Sequence, residues 1–178
     1  MIVRRVVTGQ ADGGSLVVQD GPAPRAHDFK DMPGMSAALV WATPAKPVIS
    51  ATGNDPVSGS TGYLPEPGGT RLVFVTFPPD AWASRPDFDP AAAGREYAEH
   101  VPDLAARMEP DHPGMHTTES IDYGVVLDGE LWLELDGGRE VHLKPHDVIV
   151  QNGTRHAWRN KGDTPAKVVF VLIGADRA

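Results

Sequence analysis

The sequence has no cysteine, comparatively few basic residues and no long hydrophobic run. Without cysteine there can be no disulfide, no thiolate zinc site, no iron–sulfur cluster and no cysteine nucleophile. The longest apolar run, residues 168–173, is far shorter than the roughly 20 residues that cross a bilayer. The N-terminus also lacks the pattern of a signal peptide. We therefore expect a cytoplasmic protein with no membrane partner.

Acidic side chains outnumber basic ones, with 24 Asp and Glu against 16 Lys and Arg, and the formal net charge is −8. Because binding to a phosphate backbone needs a concentrated basic face, nucleic acid is not an expected partner. The sequence also contains no phosphate-binding glycine loop, so we expect no nucleotide cofactor. A chain of 178 residues that is 40% hydrophobic and 22% charged suits one folded domain.

Short strand patterns separated by turn residues dominate the last third of the chain. Two of them, residues 123–127 and 130–135, flank Asp128-Gly129 and predict a hairpin. Closely spaced strands with polar turns favour an all-β fold, a single antiparallel β-barrel or jelly roll. The remaining strand patterns lie at 2–8, 15–19, 37–42, 72–77, 141–143, 147–151, 156–159 and 167–173.

Helix-forming residues interrupt the strands around residues 89–108. Asp89 and Pro90 form a helix start, and Pro102 divides the segment, so we predict two short helices that lie over the barrel mouth. Residues 43–70 are rich in proline and glycine and predict a long loop, whose role stays open. The single domain, 1–178, then comprises N-terminal strands and loop (1–79), a helical insertion (80–112) and a barrel core (113–174).

Three polar residues have a spacing that would bring them together in a small barrel. His116 and Thr118 point to the same face of a strand, because side chains alternate every two residues. Asp122 follows after a bend, and His156 begins a later strand. Two imidazoles and one carboxylate are a facial ligand set that leaves open positions on a metal ion.

These residues resemble the two sequence motifs of the cupin superfamily, and the resemblance to single-domain bacterial cupins extends over most of the chain. The matching positions are His116, Asp122, Gly129, Gly153, His156 and Asn160. The resemblance implies a cupin barrel whose motif side chains point inward. Thr118 stands where the family has a second histidine, and Asp122 is one methylene shorter than the family's glutamate. The four-ligand metal site of the family is therefore incomplete.

From this resemblance, His116, Asp122 and His156 are the candidate catalytic residues and also the candidate metal ligands. Glu119 or His112 would substitute for a missing ligand. The ion would be iron, manganese, zinc, nickel or cobalt, because all of them suit two histidines and a carboxylate. Without a metal, Asp122 and His156 would serve as general base and acid.

The expected function is that of an enzyme acting on a small organic molecule in the barrel, a carbonyl, enol or polyketide-like compound, by isomerase, cyclase, lyase or dioxygenase chemistry. The alternative is a non-catalytic sensor or carrier with a degenerate metal site. Thr118, Trp158 and Tyr123 are the candidate substrate-binding residues. An unpaired edge at residues 2–8 predicts a homodimer. His27 and His100 show no partner spacing and are expected at the surface.

Overall fold

A computed structural model describes residues 2–49, 55–57, 59 and 61–178. Residues 50–54, 58 and 60 of the expected 43–70 loop lie outside the described residues. The elements are β1 (Arg4–Ala11), β2 (Gly14–Pro22), β3 (Arg25–Asp28), β4 (Ser36–Thr43), β5 (Thr70–Phe77), α1 (Pro90–His100), α2 (Pro102–Ala105), β6 (Ser120–Asp128), β7 (Leu131–Leu135), β8 (Arg139–Leu143), β9 (Val148–Asn152), β10 (Ala157–Arg159) and β11 (Ala166–Gly174).

The strands build two antiparallel sheets and a separate hairpin. The larger sheet has the order β3-β4-β5-β11-β6-β9, the smaller has the order β10-β7-β8, and β1 pairs with β2. Leu131 and Leu133 of the smaller sheet share one apolar core with Val126, Val168 and Phe170 of the larger sheet. Two sheets packed over one core form a jelly roll, which confirms the expected all-β fold class.

The expected hairpin at Asp128-Gly129 is wrong. β6 pairs with β9 and β11, whereas β7 pairs with β8 and β10, so the turn carries the chain from one sheet to the other. Gly129 has a φ of 73°, and a Cβ there would lie 2.5 Å from the carbonyl oxygen of Pro165. Only glycine fits this corner. A sheet-to-sheet corner and a hairpin share the same strand–turn–strand pattern, so the sequence alone did not separate them.

The helical insertion is confirmed as two short helices. The Asp89 carboxylate accepts hydrogen bonds from the backbone N–H groups of Ala91 and Ala92, and Pro90 occupies the first turn of α1. Pro102 begins α2 directly after the end of α1. In the described part of the chain, neither helix reaches the length and hydrophobicity that a membrane-spanning helix requires.

The outer face of the larger sheet is apolar across several strands. Val150, Tyr123 and Val171 are paired across β9, β6 and β11, and their side chains therefore line up on this face. Towards β4 and β5 the face is covered, because Val3 and Ala23 pack there. Towards β9 it is open, and Val150 and Tyr123 are 61% and 47% exposed. The open half is a better candidate for a dimer contact than the β1 edge expected from the sequence.

The homodimer stays a prediction, and this open face gives it a test. Val150→Lys should convert a dimer to a monomer, because a charge would be buried in an apolar contact. The matched control is Val141→Lys, at an exposed valine of β8 in the smaller sheet. Size-exclusion chromatography with light scattering measures the mass. A monomeric native protein, or equal effects of the two substitutions, would contradict the prediction.

Candidate active site

A cavity of about 820 Å³ lies between the inner face of the larger sheet and the helical insertion. Its walls are mainly apolar and aromatic. The helices contribute Ala93, Tyr97 and Leu104, and the sheets contribute Phe170 and Trp158. The polar residues among its lining are Tyr63, Asp80, Tyr97, His116, Thr118, Asp122, His156 and Arg159. The predicted placement of the helices over the mouth of the fold agrees with this arrangement.

His116 and His156 are held side by side by the backbone. Each donates its backbone N–H to the carbonyl oxygen of the other, and both N···O distances are 2.9 Å. This isolated antiparallel bridge places the two ring centroids 4.3 Å apart at 50°. Both side chains are buried and line the cavity. The sequence prediction that these two imidazoles meet therefore agrees with the geometry.

The two imidazoles are held in one tautomer. Nδ1 of His116 lies 3.0 Å from the carbonyl oxygen of Gly114, and Nδ1 of His156 lies 2.9 Å from that of Thr154. Because a carbonyl only accepts, each Nδ1 carries the hydrogen and each Nε2 keeps its lone pair. Burial lowers the pKa of His116. Burial, and then the neighbouring His116, lower the pKa of His156 to about 4. Both rings are thus neutral acceptors at neutral pH.

Asp122 supplies a buried carboxylate to the same cavity. It lies on the inward face of β6, and burial raises its pKa to about 6, although Ser120 acts in the opposite direction. Oδ1 of Asp122 is buried and has no hydrogen-bond partner among the described residues. Gln151, its cross-strand neighbour on β9, has an equally unpaired Nε2. A buried polar atom without a hydrogen bond destabilises a folded protein, so the two atoms are open to a further hydrogen-bonding group.

Gln151 is a buried residue behind the site, opposite Asp122 on the neighbouring strand, that the sequence analysis missed. Its Oε1 accepts a hydrogen bond from the Thr154 hydroxyl at 2.7 Å, and the Thr154 carbonyl in turn orients His156. Alternation on β9 places Gln151 inward beside Ile149. The sequence analysis could have found Gln151, because it is a polar residue at an inward position of a mainly apolar strand.

Two of the three candidate substrate-binding residues line the cavity. Thr118 is buried and accepts a hydrogen bond from the Ser120 hydroxyl. Trp158 presents its ring edge-on to His156, with 5.4 Å between centroids. Their contact with a substrate stays a prediction. Tyr123 does not line the cavity, because it follows Asp122 on β6 and must point to the opposite face. That assignment is wrong.

The two substitute ligands lie away from the imidazole pair. Glu119 is exposed, and its backbone carbonyl accepts from Ala175. His112 is 64% exposed in its side chain and pairs with Glu109 at 3.3 Å. Neither lines the cavity. The loop before His116 thus turns the His112 side chain away from the site.

The donor atoms suit a divalent transition metal in type, but the three-ligand set does not fit in geometry. Two Nε2 lone pairs, each with its Nδ1–H tied to a carbonyl, are typical of metal-binding histidines. Among the described residues, however, His116, His156 and Asp122 do not bring three ligand atoms within 4.8 Å of one another.

Two charged residues, Asp80 and Arg159, also line the cavity. Asp80 accepts from the backbone N–H of Asn160, and burial raises its pKa. The Asn160 amide donates to the carbonyl oxygens of Phe77 and Thr164, which fixes the end of β5 beside β10. The motif asparagine is therefore structural. Arg159 follows Trp158 on β10 and also lines the cavity, where its guanidinium pairs with Glu134 at 2.6 Å.

The last part of the chain is similar to known proteins. Residues 105–172 match the family model described as "Cupin domain". "Phomopsin biosynthesis cluster protein C'" from Diaporthe leptostromiformis is 58% identical over 62 residues, 34% of this chain and 33% of that protein. "Cupin-domain-containing oxidoreductase fogC" from Aspergillus ruber is 39% identical over 82 residues, 42% of this chain and 40% of that protein. The matches span about a third of the length of the first of these relatives and two fifths of the second.

Among solved structures, a Cupin 2 conserved barrel domain protein from Salinispora arenicola has a TM-score of 0.43 and 13% identity, and covers 79% of this chain and 76% of that one. The family match supports the cupin superfamily for residues 105–172. The curated relatives named above are fungal, so they give no support to the expected bacterial group.

The opposite pKa shifts of His156 and Asp122 predict a pH dependence of stability. The pKa of His156 is about 4 in the folded state and near 6.5 in the unfolded state. His156 therefore destabilises the fold as pH falls through this range, by up to roughly 3 kcal/mol. The pKa of Asp122 is about 6 in the folded state and 3.8 in the unfolded state. Asp122 therefore destabilises the fold as pH rises from 4 to 6, by a similar amount. Because the two contributions change with pH in opposite directions, the pH dependences of His156 and Asp122 largely cancel in the native protein.

Single substitutions should separate these effects. Asp122→Asn should raise the free energy of unfolding at pH 7, and the gain should shrink towards pH 4. His156→Gln should lose the acid sensitivity that His156 contributes. Urea unfolding from pH 4 to 7 measures both, with His142→Gln on exposed β8 as control. Parallel pH profiles for all variants would contradict the assigned shifts.

Proposed function

We propose that the protein is a cupin enzyme of specialised metabolism that moves protons on a small, largely apolar carbonyl or enol compound bound in its cavity. The carrying observation is a set of three buried acceptor groups, two neutral imidazoles and one carboxylate, in a mainly apolar cavity. Relatives named for biosynthesis clusters, and others named cupin-domain-containing oxidoreductases, support a cupin enzyme in a biosynthetic setting, whereas the proton-transfer chemistry rests on the cavity residues.

The cavity supports a ligand of moderate size with few polar atoms. Its volume of about 820 Å³ lies within the range of pockets that hold small organic molecules. Trp158 lies beside the His156 ring, and Phe77 and Phe170 lie against Trp158, so the cavity offers several aromatic surfaces. An aromatic or polyketide-like skeleton matches such walls, since apolar contact supplies most of the binding free energy and a few polar groups set the orientation.

Asp122 is the general base in this proposal. With a pKa of about 6 it is ionised at neutral pH yet close to the pH at which it must also return the proton. It takes a proton from the carbon next to the carbonyl and gives it back to the same or a neighbouring carbon. One proton leaves and one returns, so this step needs no oxidant or reductant.

The imidazoles orient the substrate. Nε2 of His116 and Nε2 of His156 are acceptors, so they bind a hydroxyl, phenol or enol O–H rather than a carbonyl oxygen. This refines the acid role expected for His156 from the sequence, because its nitrogen on this side carries no hydrogen. Thr118 and Trp158 complete the wall around that hydroxyl.

The test is hydrogen exchange at carbon. We expect the protein to accelerate deuterium incorporation next to the carbonyl of phenyl-substituted ketones such as 4-phenylbutan-2-one in D2O, as measured by proton NMR. Asp122→Asn should slow this at least about 100-fold, the typical contribution of a general base. His116→Gln and His156→Gln should weaken binding of hydroxylated analogues, measured by the same spectra.

Asp163→Asn is the matched control, since Asp163 is exposed. Equal loss in both aspartate variants, or exchange that no variant changes, would overturn the role of Asp122. Saturable ligand binding without any exchange would favour the non-catalytic sensor or carrier.

A further inference from the structure

A second group of metal-ligating side chains lies outside the cavity, between β3 and α1. His27, Glu96 and His100 each offer one ligand atom, and these atoms all lie within 4.8 Å of one another. We infer that this group binds one divalent transition metal ion that joins α1 to the edge of the larger sheet. The sequence analysis expected His27 and His100 at the surface without partners, because β3 was not predicted and His27 lies far from α1 in the chain.

The arrangement follows from the secondary structure. Glu96 and His100 are four residues apart on α1 and therefore share one helix face. His27 projects from β3, an edge strand of the larger sheet. Its Nε2 lies 3.0 Å from Oε1 of Glu96, and its ring stacks on that of His100 with centroids 3.4 Å apart.

The Glu96 carboxylate is fixed before any ion arrives. Its Oε1 accepts from the backbone N–H of Lys30 at 2.9 Å, and its Oε2 accepts from that of Asp31 at 2.8 Å. Burial works against its charge, but these bonds and His27 outweigh burial and lower the pKa of Glu96. Metal-binding carboxylates are typically ionised and oriented by hydrogen bonds from neighbouring groups, and the Glu96 carboxylate has both properties.

The ligand chemistry selects the ion. Two imidazoles and one carboxylate suit zinc, cobalt or nickel better than magnesium or calcium, which prefer oxygen ligands. The stacked rings of His27 and His100 must turn relative to each other, so that the ion lies in the plane of both. The distances are thus in place, and ring rotation completes the site.

Such an ion would act on the wall of the cavity. Ala93, Gly94 and Tyr97 of the same helix line the cavity, while Glu96 and His100 face β3. Joining α1 to β3 would restrict movement of this wall. The proposal is independent of the chemistry assigned to Asp122.

The experiment is a zinc titration of untagged protein by calorimetry in a buffer that does not bind metal. The background variant His116→Ala/His156→Ala removes the imidazoles of the cavity. We expect it to bind one equivalent of Zn²⁺, and we expect His100→Ala or Glu96→Gln in that background to weaken binding at least about 10-fold. His142→Ala, at an exposed histidine stacked on Trp132, is the control and should change nothing.

Absence of zinc binding in the background variant, or binding that survives His100→Ala, would overturn the site. If the background variant fails to fold, the same single substitutions in the native chain still decide the matter. They should remove one equivalent of bound zinc there, and an unchanged stoichiometry would overturn the proposal. The absorption spectrum of bound Co²⁺ reports the nitrogen ligands independently of any activity.

Discussion

The reciprocal backbone hydrogen bonds between His116 and His156 are the constraint on which the candidate site depends. They join the segment before β6 to the residue before β10, and these two strands belong to different sheets. With both backbones fixed, each ring can give its Nδ1–H to a nearby carbonyl, and the lone pairs that remain belong to Nε2. The neutral state of both rings, and the acceptor character of the site, follow from that geometry and from burial.

A buried carboxylate in a cavity that also holds two acceptor imidazoles lowers the free energy of unfolding. Within the described part of the chain, Oδ1 of Asp122 and Nε2 of the neighbouring Gln151 have no hydrogen-bond partner. A chain selected for stability alone would fill this wall with apolar side chains. The cost is understandable if the carboxylate serves a ligand, because burial is also what raises its pKa to the range where it can accept and release a proton.

The sequence predicted the parts of the fold that rest on local patterns. Alternation identified most strands, and Asp89-Pro90 with Pro102 identified both helices. It failed where the answer depended on which strands pair: the corner at Gly129 was taken for a hairpin. Tyr123 could have been excluded, because its neighbour Asp122 already faces inward. The group of His27, Glu96 and His100 was beyond reach, since only the tertiary fold brings β3 and α1 together.

The central claim is that Asp122 is a base poised near neutrality beside two neutral imidazoles. NMR titration of the native protein, with ¹³C at the Asp122 carboxyl and ¹⁵N at the histidine rings, tests it directly. The account predicts a carboxyl midpoint near 6, Nδ1–H tautomers for His116 and His156 at pH 7, and a His156 ring that stays neutral down to pH 5. A carboxyl that titrates near 4, Nε2–H tautomers at pH 7, or a His156 ring that is protonated at pH 6 would contradict it.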